Sequence, residues 1–200
     1  MKLLYLFFGW ILACGVWADY GLSSSTQQTD FRQIGDKDAP VTLYIFSSFT
    51  CPHCAQFHKD ILPVLKQEFV ETKRAKLVFV ETPYDKYSLT ASLLSRCISP
   101  EKWEEFSTLL YKMQFTWKNS PHAKTLFADY ASKMGMSDSD FDTCLANKAL
   151  NRKLIQQRDN MVDLYHVRAL PSVVFEKGGK TILLSGTDKE LLEKLNAQDF

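Results

Sequence analysis

The chain has 200 residues, of which 46% are hydrophobic and 24% charged, and its formal net charge is +1. This length and composition are typical of one folded domain of ordinary size, and they exclude a disordered or low-complexity protein. Because the net charge is close to zero, it gives no indication of binding to nucleic acid or to an anionic membrane surface, and we expect no nucleic-acid partner.

The N-terminus is typical of an export signal. Lys2 precedes the apolar run 3–13, which is too short to span a bilayer comfortably. Val16-Trp17-Ala18 then places small residues on both sides of a large one, as a cleavage site requires. We therefore predict a signal peptide over 1–18; the alternative is a buried N-terminal helix.

Cys14 gives this N-terminus a second interpretation. The stretch Ile11-Leu12-Ala13-Cys14 loosely resembles a bacterial lipobox, although Leu12 is large for that motif, and a lipid on Cys14 would anchor the protein. Cleavage after Ala18 would instead remove Cys14 and leave Cys51, Cys54, Cys97 and Cys144. In the oxidising compartment that an exported chain reaches, four cysteines allow three disulfide pairings.

The next segments predict a flexible leader followed by strand, helix and strand. Residues 19–37 contain a small, polar stretch and are assigned to the leader. The apolar runs 41–46 and 76–81 are rich in β-branched and aromatic residues and predict buried strands. Between them, 51–69 has helical periodicity, and Pro63 should kink that helix because it cannot donate the bond one turn back.

The second half predicts a helical block and then a hairpin with a final helix. Helical periodicity extends over about 89–165, and two short strands then flank Lys177-Gly178-Gly179-Lys180. Because the strands on either side of the block need each other to form one sheet, the block is an insertion. We predict an α/β domain formed by 38–86 and 166–200, with an inserted helical domain over 87–165.

The tetrad Cys51-Pro52-His53-Cys54 lies between the first predicted strand and its helix. Proline suits the first turn of a helix, so Cys51 begins the helix and Cys54 follows one turn later on the same face, within reach of a disulfide. Unpaired N–H groups and the helix dipole lower the pKa of Cys51, and a charged His53 would add to this. A stabilised thiolate makes the corresponding disulfide a stronger oxidant.

Two other uses of this pair stay open. A purely structural disulfide between Cys51 and Cys54 would close so short a loop that it would gain little stability. A zinc site could use the pair with His53 or His58, but a structural site commonly has a second pair of ligands at similar spacing, and the sequence has no second CxxC. We favour a redox pair, and we expect no metal and no cofactor.

The stretch from Asp38 to Cys54, DAPVTLYIFSSFTCPHC, resembles the beginning of DsbA-like proteins, the bacterial periplasmic disulfide oxidoreductases with a thioredoxin fold. The type member of that family has the same CPHC tetrad. Residues 167–175, VRALPSVVF, resemble the family's cis-proline loop, which faces the cysteines. The resemblance covers about 38–195 and implies a thioredoxin fold, a central mixed sheet with flanking helices, with an inserted helical domain.

The resemblance also implies roles for single residues. Cys51 would be the exposed sulfur that forms a mixed disulfide with substrate, Cys54 its buried partner, and His53 a group that stabilises the Cys51 thiolate. Leu170 and the cis residue Pro171 would line the substrate site. The partners would be unfolded or partly folded secreted proteins and a DsbB-like membrane reoxidase, and the protein would be a monomer in the periplasm.

Two departures from the family pattern bear on these expectations. Many members have valine before the cis-proline, where this chain has Leu170, so contacts with substrate are expected to differ. The buried acidic residue of the first strand is also missing, since Tyr44 and Ile45 occupy that region, which affects proton transfer.

The segments around Cys97 and Cys144 resemble those that carry a second disulfide in some members of the family. The resemblance therefore implies a structural Cys97–Cys144 bond; the alternative is two free buried thiols that pack as small apolar residues.

Other functions remain as alternatives to an oxidase. A disulfide isomerase or reductase would use the same pair, although 19–37 is too short for the dimerisation domain usual in such isomerases. A peptide-binding chaperone module would bind unfolded chains equally well after Cys51→Ala. A zinc-binding module would contain metal that mass spectrometry detects.

Overall fold

The computed structural model of this protein describes residues 31–186 and 189–198. The signal peptide predicted over 1–18, the lipid-anchor interpretation of Cys14 and most of the predicted leader lie outside the described residues. The strands are β1 (Arg32–Ile34), β2 (Val41–Ser47), β3 (Ala75–Glu81), β4 (Ser172–Lys177) and β5 (Lys180–Ser185). The helices are α1 (Pro52–Asp60), α2 (Leu62–Leu65), a π-helix (Lys66–Val70), α3 (Lys86–Cys97), α4 (Pro100–Lys112), α5 (Gln114–Lys118), α6 (Ala123–Lys133), α7 (Asp138–Ala146), α8 (Lys148–Leu164) and α9 (Lys189–Asn196).

The described strands form one mixed sheet in the order β1-β3-β2-β4-β5. β2 and β3 pair in parallel, and all other neighbours pair antiparallel. Every residue of the central strand β2 is buried, because helices cover both faces of the sheet, and this is why β2 is an unbroken apolar run rather than an alternating one. The arrangement confirms the predicted central mixed sheet with flanking helices.

Alternate residues of β2 face two separate cores. Leu43 and Ile45 pack in the core that contains Phe57 of α1 and Leu195 of α9. Tyr44 and its neighbours pack on the other face in a core formed with α8. The period-two alternation of a strand thus places α1, which carries the cysteine pair, on one face of the sheet and α8 on the other.

The helix predicted over 51–69 is divided into three segments. α1 ends at Asp60, α2 resumes at Leu62, and the π-helix follows from Lys66. Pro63 lies in the first turn of α2, where the missing N–H costs no intrahelical hydrogen bond. The predicted kink is therefore a break one to two residues before the proline.

β1 is a strand that the sequence pattern does not reveal, and it lies inside the predicted leader 19–37. It pairs antiparallel with β3, and Phe31 just before it is buried. The prediction of a flexible leader up to residue 37 is therefore wrong for its last part. Three residues are too few to show a period of two, and this strand depends on contacts with distant parts of the chain.

Helices α3 to α8 occupy residues 86–164, which is the range for which an inserted helical domain, 87–165, is predicted. Their core contains large buried side chains such as Trp117, Phe106 and Phe127. Phe49, Cys51 and Cys54 belong to the same core, so the block packs directly against the cysteine pair. Its status as a separate domain stays a prediction. No helix within the described ranges is both long enough and apolar enough to cross a membrane.

Candidate active site

Cys51 is the N-cap residue of α1. Its backbone is extended, with φ −81° and ψ 119°, and Pro52 occupies the first turn. The Cys51 Sγ accepts a hydrogen bond from the backbone N–H of Cys54 at 3.4 Å. A cysteine sulfur thus occupies the position in which serine or aspartate usually caps a helix, where free N–H groups and the helix dipole favour a negative charge.

These surroundings lower the pKa of Cys51 from 9.0 to about 6. The largest cause is the hydrogen bond from the Cys54 thiol, which outweighs desolvation by burial. The backbone N–H groups of Cys54 and His53 lower the pKa further, as does the charge of His53. At pH 7 a pKa of 6 leaves about nine-tenths of Cys51 as thiolate, the form that attacks disulfides.

Cys54 differs from Cys51 in the direction of its pKa shift. It is fully buried, and its pKa is raised by the hydrogen bond that its thiol donates to Cys51 and by desolvation. The backbone N–H of Ser48 donates to Cys54 Sγ at 3.5 Å, which opposes that shift only in part. The two neighbouring sulfurs are free thiols in this structure and are poised for different roles.

The structure differs from the resemblance in the exposure of Cys51. The resemblance implies an exposed sulfur, but Cys51 is only 7% exposed. The Leu170–Pro171 peptide bond is cis, and the carbonyl oxygen of Leu170 lies 3.8 Å from Cys51 Sγ. The loop containing Leu170 therefore covers one side of the sulfur, and a substrate has to approach past it.

The backbone before Cys51 is held by the helical block. The side-chain amide of Gln114 donates to the carbonyl oxygens of Phe49, at 2.7 Å, and of Cys51, at 2.9 Å. Lys118 Nζ donates to the carbonyl oxygen of Thr50 at 2.8 Å. Sequence reasoning missed both residues, since a glutamine and a lysine on a short helix have no local pattern that points to a loop more than 60 residues away.

Of the histidines near the pair, His53 is exposed on α1 and His58 is half-buried. His58 Nε2 lies 3.2 Å from Ser47 Oγ, and its ring stacks on Tyr111 at 3.8 Å between centroids. Desolvation lowers the pKa of His58 to about 3, so it is neutral at physiological pH. It therefore adds no positive charge to the site, and packing accounts for it.

Cys97 and Cys144 are joined by a disulfide with an S–S length of 2.04 Å and a Cα–Cα distance of 6.2 Å. The bond links the last residue of α3 to α7. Within residues 31–186 and 189–198, no group of three or more His, Cys, Asp or Glu side chains is arranged to hold a metal ion.

A buried charged cluster beside the site is also invisible in the sequence. The guanidinium of Arg96 forms a salt bridge with Glu81 at 2.5 Å, and the two side chains are only 9% and 7% exposed. Arg32 Nη2 donates to three carbonyl oxygens at the end of α3, those of Ser95, Arg96 and Ile98. The cluster thus fastens β1 to the helix that ends at the second disulfide.

Comparisons with known proteins agree with this fold. A family model described as Thioredoxin matches residues 26–196. A putative protein-disulfide oxidoreductase of Rickettsia bellii is 31% identical over 123 residues, which are 61% of this chain and 48% of the relative. The chain therefore spans about half the length of the curated relatives that it matches first.

Solved structures resemble this fold over most of the chain, and two examples show the extent of the match. The Wolbachia pipientis alpha-DsbA1 structure superposes with a TM-score of 0.75 at 21% identity, over 84% of this chain and 90% of that one. A protein-disulfide isomerase from Novosphingobium aromaticivorans superposes with a TM-score of 0.69 at 27% identity, over 84% and 98%. Since the family model matches most of its length, this chain belongs to the thioredoxin family, and its fold is that of DsbA proteins.

Proposed function

We propose that this chain is an exported thiol:disulfide oxidoreductase that introduces disulfide bonds into folding secreted proteins through Cys51 and Cys54. The observation that carries the proposal is the pairing of a helix-capping Cys51, with its pKa lowered to about 6, with a fully buried Cys54. The names of the relatives and solved structures, which include protein-disulfide oxidoreductase and protein-disulfide isomerase, support this class of reaction.

The reaction consists of two thiol–disulfide exchanges. A substrate thiolate attacks the Cys51 sulfur of the oxidised pair, the Cys51–Cys54 bond breaks, and Cys54 leaves as a thiolate that takes up a proton. A second substrate thiolate then attacks the substrate sulfur of the mixed disulfide and releases the Cys51 thiolate. In sum, two substrate thiols are oxidised to one disulfide, and the enzyme disulfide is reduced to a dithiol.

Substrate and partner assignments follow from the resemblance and belong to the same proposal. Leu170 and Pro171 contact the substrate backbone beside Cys51, which the 3.8 Å approach of the Leu170 carbonyl to Cys51 Sγ supports. The enzyme works as a monomer in the periplasm, and a DsbB-like membrane reoxidase accepts the two electrons and restores the disulfide.

The equilibrium reduction potential of the pair separates an oxidase from a reductase. A pKa of about 6 instead of 9.0 stabilises the dithiol form at pH 7 by about 1.4 kcal/mol, or about 30 mV. A shift of about 30 mV favours an oxidant, but it is only a fraction of the roughly 150 mV that separates reducing thioredoxin from oxidising DsbA. The measured potential therefore decides between the two functions. A potential between about −120 and −180 mV in a glutathione buffer supports the oxidase, and about −270 mV contradicts it.

When the reduction potential of the pair is measured as a function of pH, its slope should change near pH 6. Below that pH two protons accompany the two electrons, and the potential falls by about 60 mV per pH unit. Above it Cys51 stays ionised and Cys54 stays protonated, so the slope halves to about 30 mV per unit. A slope of about 60 mV that continues through pH 8 would show that the Cys51 pKa is not lowered.

Replacing His53 by alanine should raise the pKa of Cys51 by less than about one unit and lower the potential by less than about 30 mV. The larger contributions come from the Cys54 thiol and from backbone N–H groups, which this substitution retains. Thiolate absorbance at 240 nm against pH measures the change, with His122→Ala, an exposed histidine of the helical block, as the matched control. A rise of two units or more would give the His53 side chain the dominant role.

A further inference from the structure

A groove lies beside Cys51 on the side of the helical block. It has a volume of about 440 Å³, and its walls come from the β3–α3 loop, from α8 and from the loop before Pro171. Pro83 and Tyr84 form one wall, Val162 of α8 and Val167 line the opposite wall, and Leu170 lies at the end nearest the cysteine pair. The thiol exchange described above uses only Leu170 of these residues.

The groove has two connections to the surroundings of Cys51, one from each wall. Leu170 lines the groove, and its carbonyl oxygen lies 3.8 Å from Cys51 Sγ. On the other wall, the residue after Tyr84 is Asp85, whose carboxylate accepts a 2.5 Å hydrogen bond from Thr50, the residue before Cys51. Because an extended chain advances at most about 3.6 Å per residue, a polypeptide bonded to Cys51 reaches the groove within two or three residues.

The groove is preformed and mostly apolar inside. Nη1 of Arg158 donates to the Pro83 carbonyl oxygen at 2.7 Å, which fixes α8 against the β3–α3 loop. Val162 is partly exposed and offers aliphatic surface, whereas Val167 lines the groove but is only 5% exposed. Tyr84 is 59% exposed, which is unusual for so large an aromatic side chain beside a reactive cysteine. This surface fits one apolar side chain of a bound peptide.

The rim of the groove is positive. Arg158 is paired with Asp159 at 2.7 Å, and both line the groove. Arg168 also lines it, is exposed, and forms no ion pair with any acidic side chain in the described part of the chain. An acidic side chain of a ligand would therefore find an uncompensated positive charge beside the apolar surface.

We propose that this groove binds the substrate segment next to the cysteine held by Cys51, and that it prefers an apolar residue followed by an acidic one. The proposal rests on the proposed oxidoreductase function and names its substrate class. Tyr84 and Val162 take up the apolar side chain, and Arg168 pairs with the carboxylate. An apolar side chain and a charge contact of this kind each change binding by several-fold.

Dithiol peptides of three kinds test the proposal, identical except for two positions beside one cysteine that carry Leu-Glu, Ser-Glu or Leu-Lys. We measure the rate at which the oxidised protein oxidises each peptide at low salt. This rate is divided by the rate at which the same protein oxidises dithiothreitol, which is too small to occupy the groove. We expect Leu-Glu to react roughly tenfold faster than Ser-Glu and roughly fivefold faster than Leu-Lys. Each of the three pairs is placed once before and once after the cysteine, so that six peptides are compared.

Two variants assign the preference to the groove. Tyr84→Ala should lower the ratio for the Leu peptides several-fold, and Arg168→Glu should reverse the order of Leu-Glu and Leu-Lys. Phe115→Ala is the matched control, because Phe115 is an exposed aromatic side chain, 84% accessible, that does not line the groove. Equal ratios for all three kinds of peptide, or the same losses in Phe115→Ala, would overturn the groove proposal alone. Failure to oxidise dithiothreitol would overturn the proposed function and the groove with it.

Discussion

Replacing Cys51 by serine should abolish disulfide exchange by this protein, whereas replacing Cys54 by serine should leave a protein that becomes trapped in mixed disulfides. Cys51 caps a helix and has its pKa lowered to about 6, so its thiolate is present at pH 7. Cys54 is fully buried and its pKa is raised, so it is a poor nucleophile towards external disulfides. Without Cys54, nothing resolves the bond between Cys51 and its partner.

The intact mass after exposure to oxidised glutathione measures this difference. Cys54→Ser should gain one glutathione at least about a hundredfold faster than Cys51→Ser at pH 7, because the attacking species is the thiolate and the sulfur must be reachable. The Cys97–Cys144 bond is present in both variants and serves as an internal control for unchanged mass elsewhere. Faster labelling of Cys51→Ser would exchange the roles of the two cysteines and contradict the site as described.

The cysteine pair was predictable because its determinants are local. Cys51-Pro52-His53-Cys54 comes shortly after the strand β2, and the preference of proline for the first helical turn places the two cysteines one turn apart. The cap geometry and the lowered pKa of Cys51 depend on residues within that same turn. The contributions that lower the pKa of Cys51 all come from Cys54 and His53, whereas the burial that opposes them comes from distant parts of the chain.

The features that escaped prediction depend on residues far apart in the chain. Gln114 and Lys118 hold the loop before Cys51 across more than 60 residues, and β1 exists because β3 offers it a free edge. Arg32 likewise acts on carbonyl groups about 65 residues later. No periodicity or spacing in the sequence records such contacts, since each is chosen by the packed fold rather than by neighbouring residues.

Substitutions in the cluster of Arg32, Arg96 and Glu81 should lower the stability of the protein by unequal amounts, depending on which charge is removed. Glu81→Gln should lower the free energy of unfolding by about 3–5 kcal/mol, because it leaves Arg96 buried and without its carboxylate. Arg32 adds to the loss, since its own pKa is lowered first by desolvation and then also by the charge of Arg96, while Glu81 raises it. Removing the Glu81 charge next to two neighbouring guanidinium groups therefore increases their mutual repulsion.

Arg96→Met should cost less, about 1–3 kcal/mol, because methionine retains the buried stem and Arg32 remains close to Glu81. Urea unfolding of both variants measures the two losses, and Glu105→Gln, which removes the exposed pair with Lys102, should leave the unfolding free energy nearly unchanged. If the losses for Glu81→Gln and Arg96→Met were equal, Arg32 would not be neutralising Glu81 and its role would be limited to holding the end of α3. A larger loss for Glu81→Gln would instead show that one carboxylate serves two arginines and so joins β1, β3 and α3 next to the redox site.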